Sequence, residues 1–290
     1  MTKLFSVTFI SLLLSVIEIH AQMHQFDSNE PQTVTKEIKR DNGQCYKLII
    51  TLPSDYKPEK EYKILYYLDA WWLNDLVQGC YRLKALSNKS LANNMDELIL
   101  VGIASVGNEK DWNKQRNMDF TPSKYNLNVV MKWGEALLND TTTGGAKEFL
   151  QFFKHQIITF VESNYKIESS SRGILGHSFG GLFGFYSYIN YPELFSNYIL
   201  LAPSIWWNNS ELMQDMESII CKREVKMFIA MGTSEHLMLK RPLAVLIEEL
   251  KEAKNNKLKM IYKQYENEDH HSLLPQSIYD GIEWLYTKSN

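Results

Sequence analysis

One serine of this sequence stands in a pattern that is typical of an activated nucleophile. Residues 176–180 read GHSFG, which fits G-x-S-x-G with Ser178 at the centre. The apolar Ile174 and Leu175 precede the pattern and an aromatic-rich helical segment follows it, which is the strand–turn–helix setting of a nucleophile elbow. Flanking glycines relieve clashes in such a turn, and the helix N-terminus suits a developing negative charge. We predict a nucleophilic Ser178, the alternative being a structural Gly-Ser turn at a helix start.

Histidines that can serve this serine as a base lie late in the chain. A serine attacks only when a base removes its proton, and in this setting an acid and then a histidine follow the serine. Three histidines follow Ser178, namely His236, His270 and His271. The pair at 270–271 lies in the loop after the last expected strand, where the base is expected, whereas His236 comes too early. We predict that the pair supplies the base, the alternative being two solvent-exposed loop histidines.

A carboxylate that orients the base is expected after the strand at 225–231. Glu235 stands there, and an acid in this position orients the imidazole and stabilises its positive charge. Asp269 and Glu268 are weaker candidates, because a residue next to the base in sequence seldom points at its ring. We predict that Glu235 is the acid, the alternative being a surface carboxylate at a helix cap.

Backbone N–H groups are the expected donors to the oxyanion. The first belongs to Phe179, directly after the serine. The second is expected in the loop after the strand at 62–68, from Ala70 or Trp71. Side-chain identity matters little for a backbone donor, so the sequence leaves these two residues open.

The elements that position these groups alternate between strand and helix from residue 60 onward. The expected strands are 62–68, 97–104, 172–175, 196–201, 225–231 and 257–265, and the expected helices are 74–86, 143–163, 180–191, 212–221, 239–254 and 274–286. Such alternation predicts an α/β fold with a mostly parallel sheet and helices on both faces. Runs 33–40 and 45–52 around Asn42-Gly43 predict an antiparallel hairpin at the N-terminal edge. The polar stretch 105–131 is expected to be a long loop.

The N-terminus and the charge limit where the protein works and what it binds. Residues 1–21 combine a basic start, a short apolar run and a small residue, Ala21, which predicts a signal peptide followed by a single domain at 22–290. We expect an exported protein, periplasmic or secreted, without a membrane span after cleavage; an uncleaved anchor is the alternative. A net charge of −3 gives no basic excess for nucleic acid.

The chain has three cysteines, Cys45, Cys80 and Cys221, an odd number. Export permits at most one disulfide among them, and their spacing matches neither a disulfide framework nor a zinc site. We favour isolated buried thiols.

Two segments resemble a known family when they are taken together. Residues 176–183 read GHSFGGLF and residues 190–207 read NYPELFSNYILLAPSIWW, and both are similar to the putative esterase family, which includes bacterial siderophore esterases of the enterobactin and salmochelin type. Four further pieces are similar: YYLD at 66–69, RNMDFTP at 116–122, GGAKEFL at 144–150 and EDHHSL at 268–273. The resemblance implies an α/β-hydrolase fold without metal or cofactor. It places the base on His270, with His271 where the family often has glycine.

The resemblance favours a small-molecule ester substrate of the siderophore-lactone type, cleaved through an acyl-enzyme. Such a substrate is bulky, aromatic and anionic, so cations and aromatic faces suit it. The candidates for contact are Arg116, Trp72, Trp206 and Trp207. The alternatives are a solvated loop face for the arginine and core packing for the tryptophans. Aromatic faces also bind sugars and feruloyl groups, so a carbohydrate-linked feruloyl or acetyl ester hydrolase is a second hypothesis. A binding module on an inactive hydrolase scaffold is a third.

Overall fold

The computed structural model describes residues 32–90, 95–126, 132–133, 136–218, 223–253 and 255–287. The predicted signal peptide and Cys221 lie outside the described residues. Cys45 and Cys80 are free thiols, with Cys80 buried and Cys45 half-buried. Within the described ranges, no helix is both long and apolar enough to cross a membrane.

An eight-stranded sheet forms the centre of the molecule. The strands are β1 (Thr33–Lys39), β2 (Cys45–Thr51), β3 (Tyr62–Tyr67), β4 (Leu98–Ser105), the short β5 (Lys132–Trp133) and β6 (Ala136–Leu137), β7 (Ile167–His177), β8 (Asn197–Leu201), β9 (Val225–Gly232) and β10 (Leu258–Tyr265). The large sheet has the order β1-β2-β4-β3-β7-β8-β9-β10, and β5 pairs with β6 apart from it. β1 and β2 form the predicted hairpin, and β2 also pairs antiparallel with β4. The neighbouring pairs from β4 to β10 are parallel, which confirms a mostly parallel sheet with an antiparallel N-terminal edge.

Helices cover both faces of this sheet. They are α1 (Ala70–Ser90), α2 (Glu109–Phe120), α3 (Ala146–Phe152), α4 (Thr159–Asn164), α5 (Phe179–Asn190), α6 (Trp207–Ser210), α7 (Leu237–Glu252) and α8 (Leu274–Tyr286), with a π-helical segment Phe153–Ile158 between α3 and α4 and a 3-10 segment Glu211–Ser218 after α6. Gly184 of α5 faces Leu200 and Gly281 of α8 faces Ile199. Because successive strand residues point to opposite faces, α5 and α8 lie on opposite sides of β8. The predicted α/β-hydrolase architecture is confirmed.

The stretch 105–131 was expected to be a long loop, and for its described part, residues 105–126, that expectation was wrong. It contains α2, which begins at a capping box in which Asn108 accepts from the backbone N–H of Asp111 and the Asp111 side chain accepts from that of Asn108. The helix buries polar residues, including Asn117 and Asp119, beside Phe120. A helix whose buried face is polar lacks the apolar periodicity on which sequence assignment rests.

Several boundaries also differ from the expected ones. α1 begins at Ala70, four residues earlier than expected, and β7 begins at Ile167. The helix expected from residue 143 begins at Ala146 with Gly145 as its cap, and the Thr143 hydroxyl instead accepts from the N–H of Tyr125. In place of a helix at 212–221, the described part of that segment is the 3-10 turn that ends at Ser218.

Candidate active site

Ser178 stands alone between the end of β7 and the start of α5, in a strained conformation. Its φ is 58° and its ψ is −116°. Residues other than glycine rarely adopt this region, because it costs about 1–3 kcal/mol of conformational strain. The N–H of Ser178 donates to the carbonyl of Leu201 over 2.9 Å, and its own carbonyl accepts from the N–H of Leu182 over 2.9 Å. Ser178 is 7% exposed. β8 on one side and α5 on the other therefore hold the strained turn in place.

The two glycines of the elbow are under different steric demands. A Cβ at Gly176 would lie 2.2 Å from the carbonyl oxygen of Gly180, which no side chain can tolerate without a backbone shift. A Cβ at Gly180 would meet its nearest neighbour, Oδ2 of Asp69, at 3.4 Å, an ordinary contact. The expected relief of clashes thus applies strictly to Gly176.

Glu235 and His270 meet in a partly buried contact at the carboxyl end of the sheet. Nδ1 of His270 lies 2.8 Å from Oε1 of Glu235, whose side chain is 3% exposed, against 14% for His270. Glu235 follows β9 and His270 follows β10, and the N–H of Ser234 donates to the carbonyl of Glu268 over 2.9 Å, which joins the two loops. With Nδ1 occupied by the carboxylate, Nε2 is the ring nitrogen that remains for proton transfer.

The neighbouring candidates occupy other positions. Oδ1 of Asp269 accepts from the N–H groups of His271 and Ser272, both over 2.9 Å, so this carboxylate shapes the loop. The ring of His271 lies 6.1 Å from that of Trp72. His236 caps α7, because its Nδ1 accepts from the N–H of Met238 over 3.2 Å. Among the three late histidines, His270 is the one whose ring the Glu235 carboxylate holds.

The loop that carries His270 is attached to the elbow. Nε2 of His177 lies 2.7 Å from the carbonyl oxygen of His270, and the two ring centroids are 4.5 Å apart. Ser178 follows His177 directly. The structure therefore places the loop that carries His270, with Glu235 bound to its ring, against the residue that precedes Ser178.

A buried ion pair joins the start of α1 to the elbow. Nε of Arg116 lies 2.9 and 3.0 Å from the two carboxylate oxygens of Asp69, and Nη2 of Arg116 donates to the carbonyl of His177 over 3.1 Å. Nε1 of Trp112 also donates to Asp69. Burial raises the pKa of Asp69, and Arg116 and Trp112 act against that rise. Arg116 was expected to contact substrate, but its guanidinium is turned inward on this pair.

The predicted backbone donors lie at two helix N-termini beside this pair. Ala70 and Trp71 begin α1 and Phe179 begins α5, and the first N–H groups of a helix have no partner within it. Asp69, directly before Ala70, is the nearest neighbour of a Cβ built on Gly180. The two N-termini are thus adjacent, as two donors to one oxyanion require.

The four tryptophans considered in the sequence separate into rim and core. Trp71 is 42% exposed and stacks on Trp112 with ring centroids 5.5 Å apart. Trp72 is half-buried, and its ring lies 5.8 Å from that of His177, edge to face. Trp206 and Trp207 are buried and pack near Phe179, so the core-packing alternative describes these two.

Sequence reasoning missed two residues beside the site, the hydroxyl of Ser204 and the carboxylate of Asp69. Oγ of Ser204 lies 3.4 Å from Oγ of Ser178, and the Ser204 N–H donates to the Ser178 carbonyl over 3.1 Å. Asp69 anchors Arg116, as described above. Both residues lie in pieces that carry the family resemblance, PSIWW and YYLD, which was the available signal.

The sequence model of the putative esterase family matches residues 41–273, so the chain belongs to that family. Ferri-bacillibactin esterase BesA of Bacillus subtilis is 24% identical over 249 residues, which cover 81% of this chain and 83% of the relative. The BES protein of Bacillus cereus superposes with a TM-score of 0.78 at 25% identity, over 88% of this chain and 96% of that one. An IroE-like serine hydrolase from Shewanella oneidensis superposes with a TM-score of 0.73 at 23% identity, over 88% and 80%. The family and these relatives support ester hydrolysis.

Proposed function

We propose that the chain is a serine esterase that hydrolyses carboxylic esters through an acyl-enzyme, with Ser178 as nucleophile, His270 as base and Glu235 as acid. The observation that carries the proposal is the 2.8 Å contact of His270 Nδ1 with Glu235 in a loop bonded to the residue before Ser178. An acid, a base and a nucleophile arranged in this order activate a hydroxyl that is otherwise inert.

The chemistry has two halves. Oγ of Ser178 attacks the ester carbonyl carbon while its proton passes to Nε2 of His270, and Glu235 stabilises the imidazolium. The N–H of Phe179 and that of Ala70 or Trp71 donate to the oxyanion. Collapse breaks the bond to the alcohol, which takes the proton from His270. Water then attacks the acyl-serine with the same base, and the acid is released as Ser178 regains its proton.

Siderophore-type lactones are the substrate class that we favour. The names of the relatives support this class, and the exposed face of Trp71 offers a stacking surface for an aromatic ring beside the site. A carbohydrate-linked feruloyl ester is the second candidate, because the same face suits a feruloyl ring. We further propose that residues 1–21 form a signal peptide, that 22–290 form one domain, and that the protein is exported.

The test is labelling with a fluorophosphonate probe, followed by mapping of the modified peptide. We expect one modified residue, Ser178, and no labelling or p-nitrophenyl ester hydrolysis in Ser178→Ala. The exposed Ser170→Ala serves as the matched control and should label normally. Hydrolysis by Ser178→Ala at the normal rate would overturn the serine mechanism. A panel of a ferric catecholate trilactone, a feruloyl ester and an acetylated sugar separates the substrate classes.

A further inference from the structure

His177 is a buried histidine whose two ring nitrogens have different surroundings. The residue is 2% exposed, and its Nε2 lies 2.7 Å from the carbonyl oxygen of His270. A carbonyl oxygen only accepts hydrogen bonds, so Nε2 carries the proton and donates it. Nδ1 is buried and finds no hydrogen-bond partner in the described part of the chain. A buried acceptor left unpaired destabilises a fold, which makes a purely structural reason for this histidine weak.

The ring is neutral because its surroundings oppose a positive charge. Burial, and then the nearby His270 and Arg116, hold the pKa of His177 well below its usual range. The charged and titratable groups that face it are Arg116 from α2, with Asp69 behind the guanidinium, and His270 and His271 from the loop after β10. Because His177 is neutral, it does not repel the positive charge that forms on His270 when His270 becomes an imidazolium during the reaction.

Three contacts join the loop after β10 to the residues that follow β9. Glu268 is bonded to Ser234, the N–H of Asn267 donates to the hydroxyl of Thr233 over 2.8 Å, and His270 contacts Glu235. The nucleophile follows β7, which β8 separates from β9. Ties to β9 fix the imidazole relative to the acid, whereas the bond from His177 fixes its backbone relative to the elbow.

We propose that His177 is a positioning residue, which holds the backbone of His270 at the nucleophile elbow by donating from Nε2 to the His270 carbonyl. The inference rests on the proposed function. Arg116 steadies His177 from the other side, because its Nη2 donates to the His177 carbonyl over 3.1 Å. Proton transfer needs the base within about 2.6–3.2 Å of the hydroxyl, and a misplacement of about 1 Å lowers a rate by up to about 100-fold.

The test compares His177→Phe with His177→Gln. Phenylalanine keeps a planar ring of similar size and removes the donor, whereas the glutamine amide restores an N–H near the position of Nε2. We expect His177→Phe to lower kcat for p-nitrophenyl butyrate about 10- to 100-fold with KM changed less than about threefold. The rate of fluorophosphonate labelling falls by the same factor, and His177→Gln recovers most of both rates. His155→Phe, at an exposed histidine of the π-helical segment Phe153–Ile158, is the matched control.

Three outcomes would overturn the positioning role. The first is a normal kcat in His177→Phe, the second is a glutamine variant no faster than the phenylalanine variant, and the third is a fall in kcat that follows only a fall in Tm. Ser178→Ala, assayed beside them, keeps the two proposals apart. If Ser178→Ala is inactive while His177→Phe is normal, the positioning role alone fails; if Ser178→Ala is active, the serine mechanism itself fails.

Discussion

His270 and Glu235 are 35 positions apart in the chain, and their side chains meet at 2.8 Å in a partly buried contact. In the proposed mechanism, the carboxylate fixes which ring nitrogen faces Ser178 and stabilises the positive charge that develops on the ring. We expect Glu235→Gln to lower kcat for a p-nitrophenyl ester about 1000-fold with the fold intact, because the amide cannot supply that charge. Steady-state kinetics with circular dichroism would check this.

Asp269→Asn is the matched control for the acid. An asparagine oxygen still accepts from the N–H groups of His271 and Ser272, so the loop keeps its shape and kcat stays within about threefold. A larger loss in Asp269→Asn than in Glu235→Gln would transfer the role of acid to Asp269.

Gly176 and Gly180 should respond differently to alanine, although the motif treats them alike. We expect Gly176→Ala to destabilise the protein by more than about 3 kcal/mol, because its Cβ meets a carbonyl oxygen at 2.2 Å. Gly180→Ala has room at 3.4 Å and begins a helix turn, so its stability stays within about 1 kcal/mol of the parent. Urea denaturation measures both, and equal losses would contradict the steric account.

Trp71 should select aromatic substrates. Trp71→Ala removes the exposed ring that stacks on Trp112 and leaves the backbone N–H in place. We expect the ratio of kcat/KM for a feruloyl ester to that for an acetyl ester to fall about tenfold, the loss of one aromatic pair. An unchanged ratio would mean that the substrate lies elsewhere.

Asp119 should make stability fall as the pH rises. Its carboxylate is buried, 3.1 Å from Arg40 and 2.7 Å from the Tyr46 hydroxyl. Burial raises the pKa of Asp119 to about 7, although Tyr46 and Arg40 act to lower it. The unfolded chain loses this proton near pH 4, so between about pH 4 and 7 the folded state holds more protons and its stability declines with pH. Asp119→Asn should remove a slope of about 1 kcal/mol per pH unit from urea denaturation in that window. Parallel slopes in the two proteins would contradict this.

The parts of the site that follow from local chemistry were accessible from the sequence. Ser178 is marked by its flanking glycines and its strand and helix. The chain order of acid and base indicated Glu235 and the pair His270-His271, and the family resemblance then favoured His270. Each occupies the loop expected for it, after β7, β9 and β10.

The parts that depend on tertiary contacts were not accessible. Nothing local to Arg116 or Asp69 indicates that they pair across 47 positions, so Arg116 was expected to face substrate. The polar face of α2 concealed a helix for the same reason, since its partners lie on other elements. Trp206 and Trp207 illustrate a third limit, because the identity of an aromatic residue near a site does not indicate whether its ring faces the ligand or the core.

The order in which the loops occur along the chain has a consequence for biosynthesis. A nascent polypeptide that has been made as far as the loop after β9 already carries the elbow and Glu235, yet the segment with His270 is still to be made. The Ser178 hydroxyl therefore lacks the proposed base, His270, until β10 docks beside β9. By the proposed mechanism, the incomplete chain is therefore inactive, and it becomes reactive only when its C-terminal segment folds.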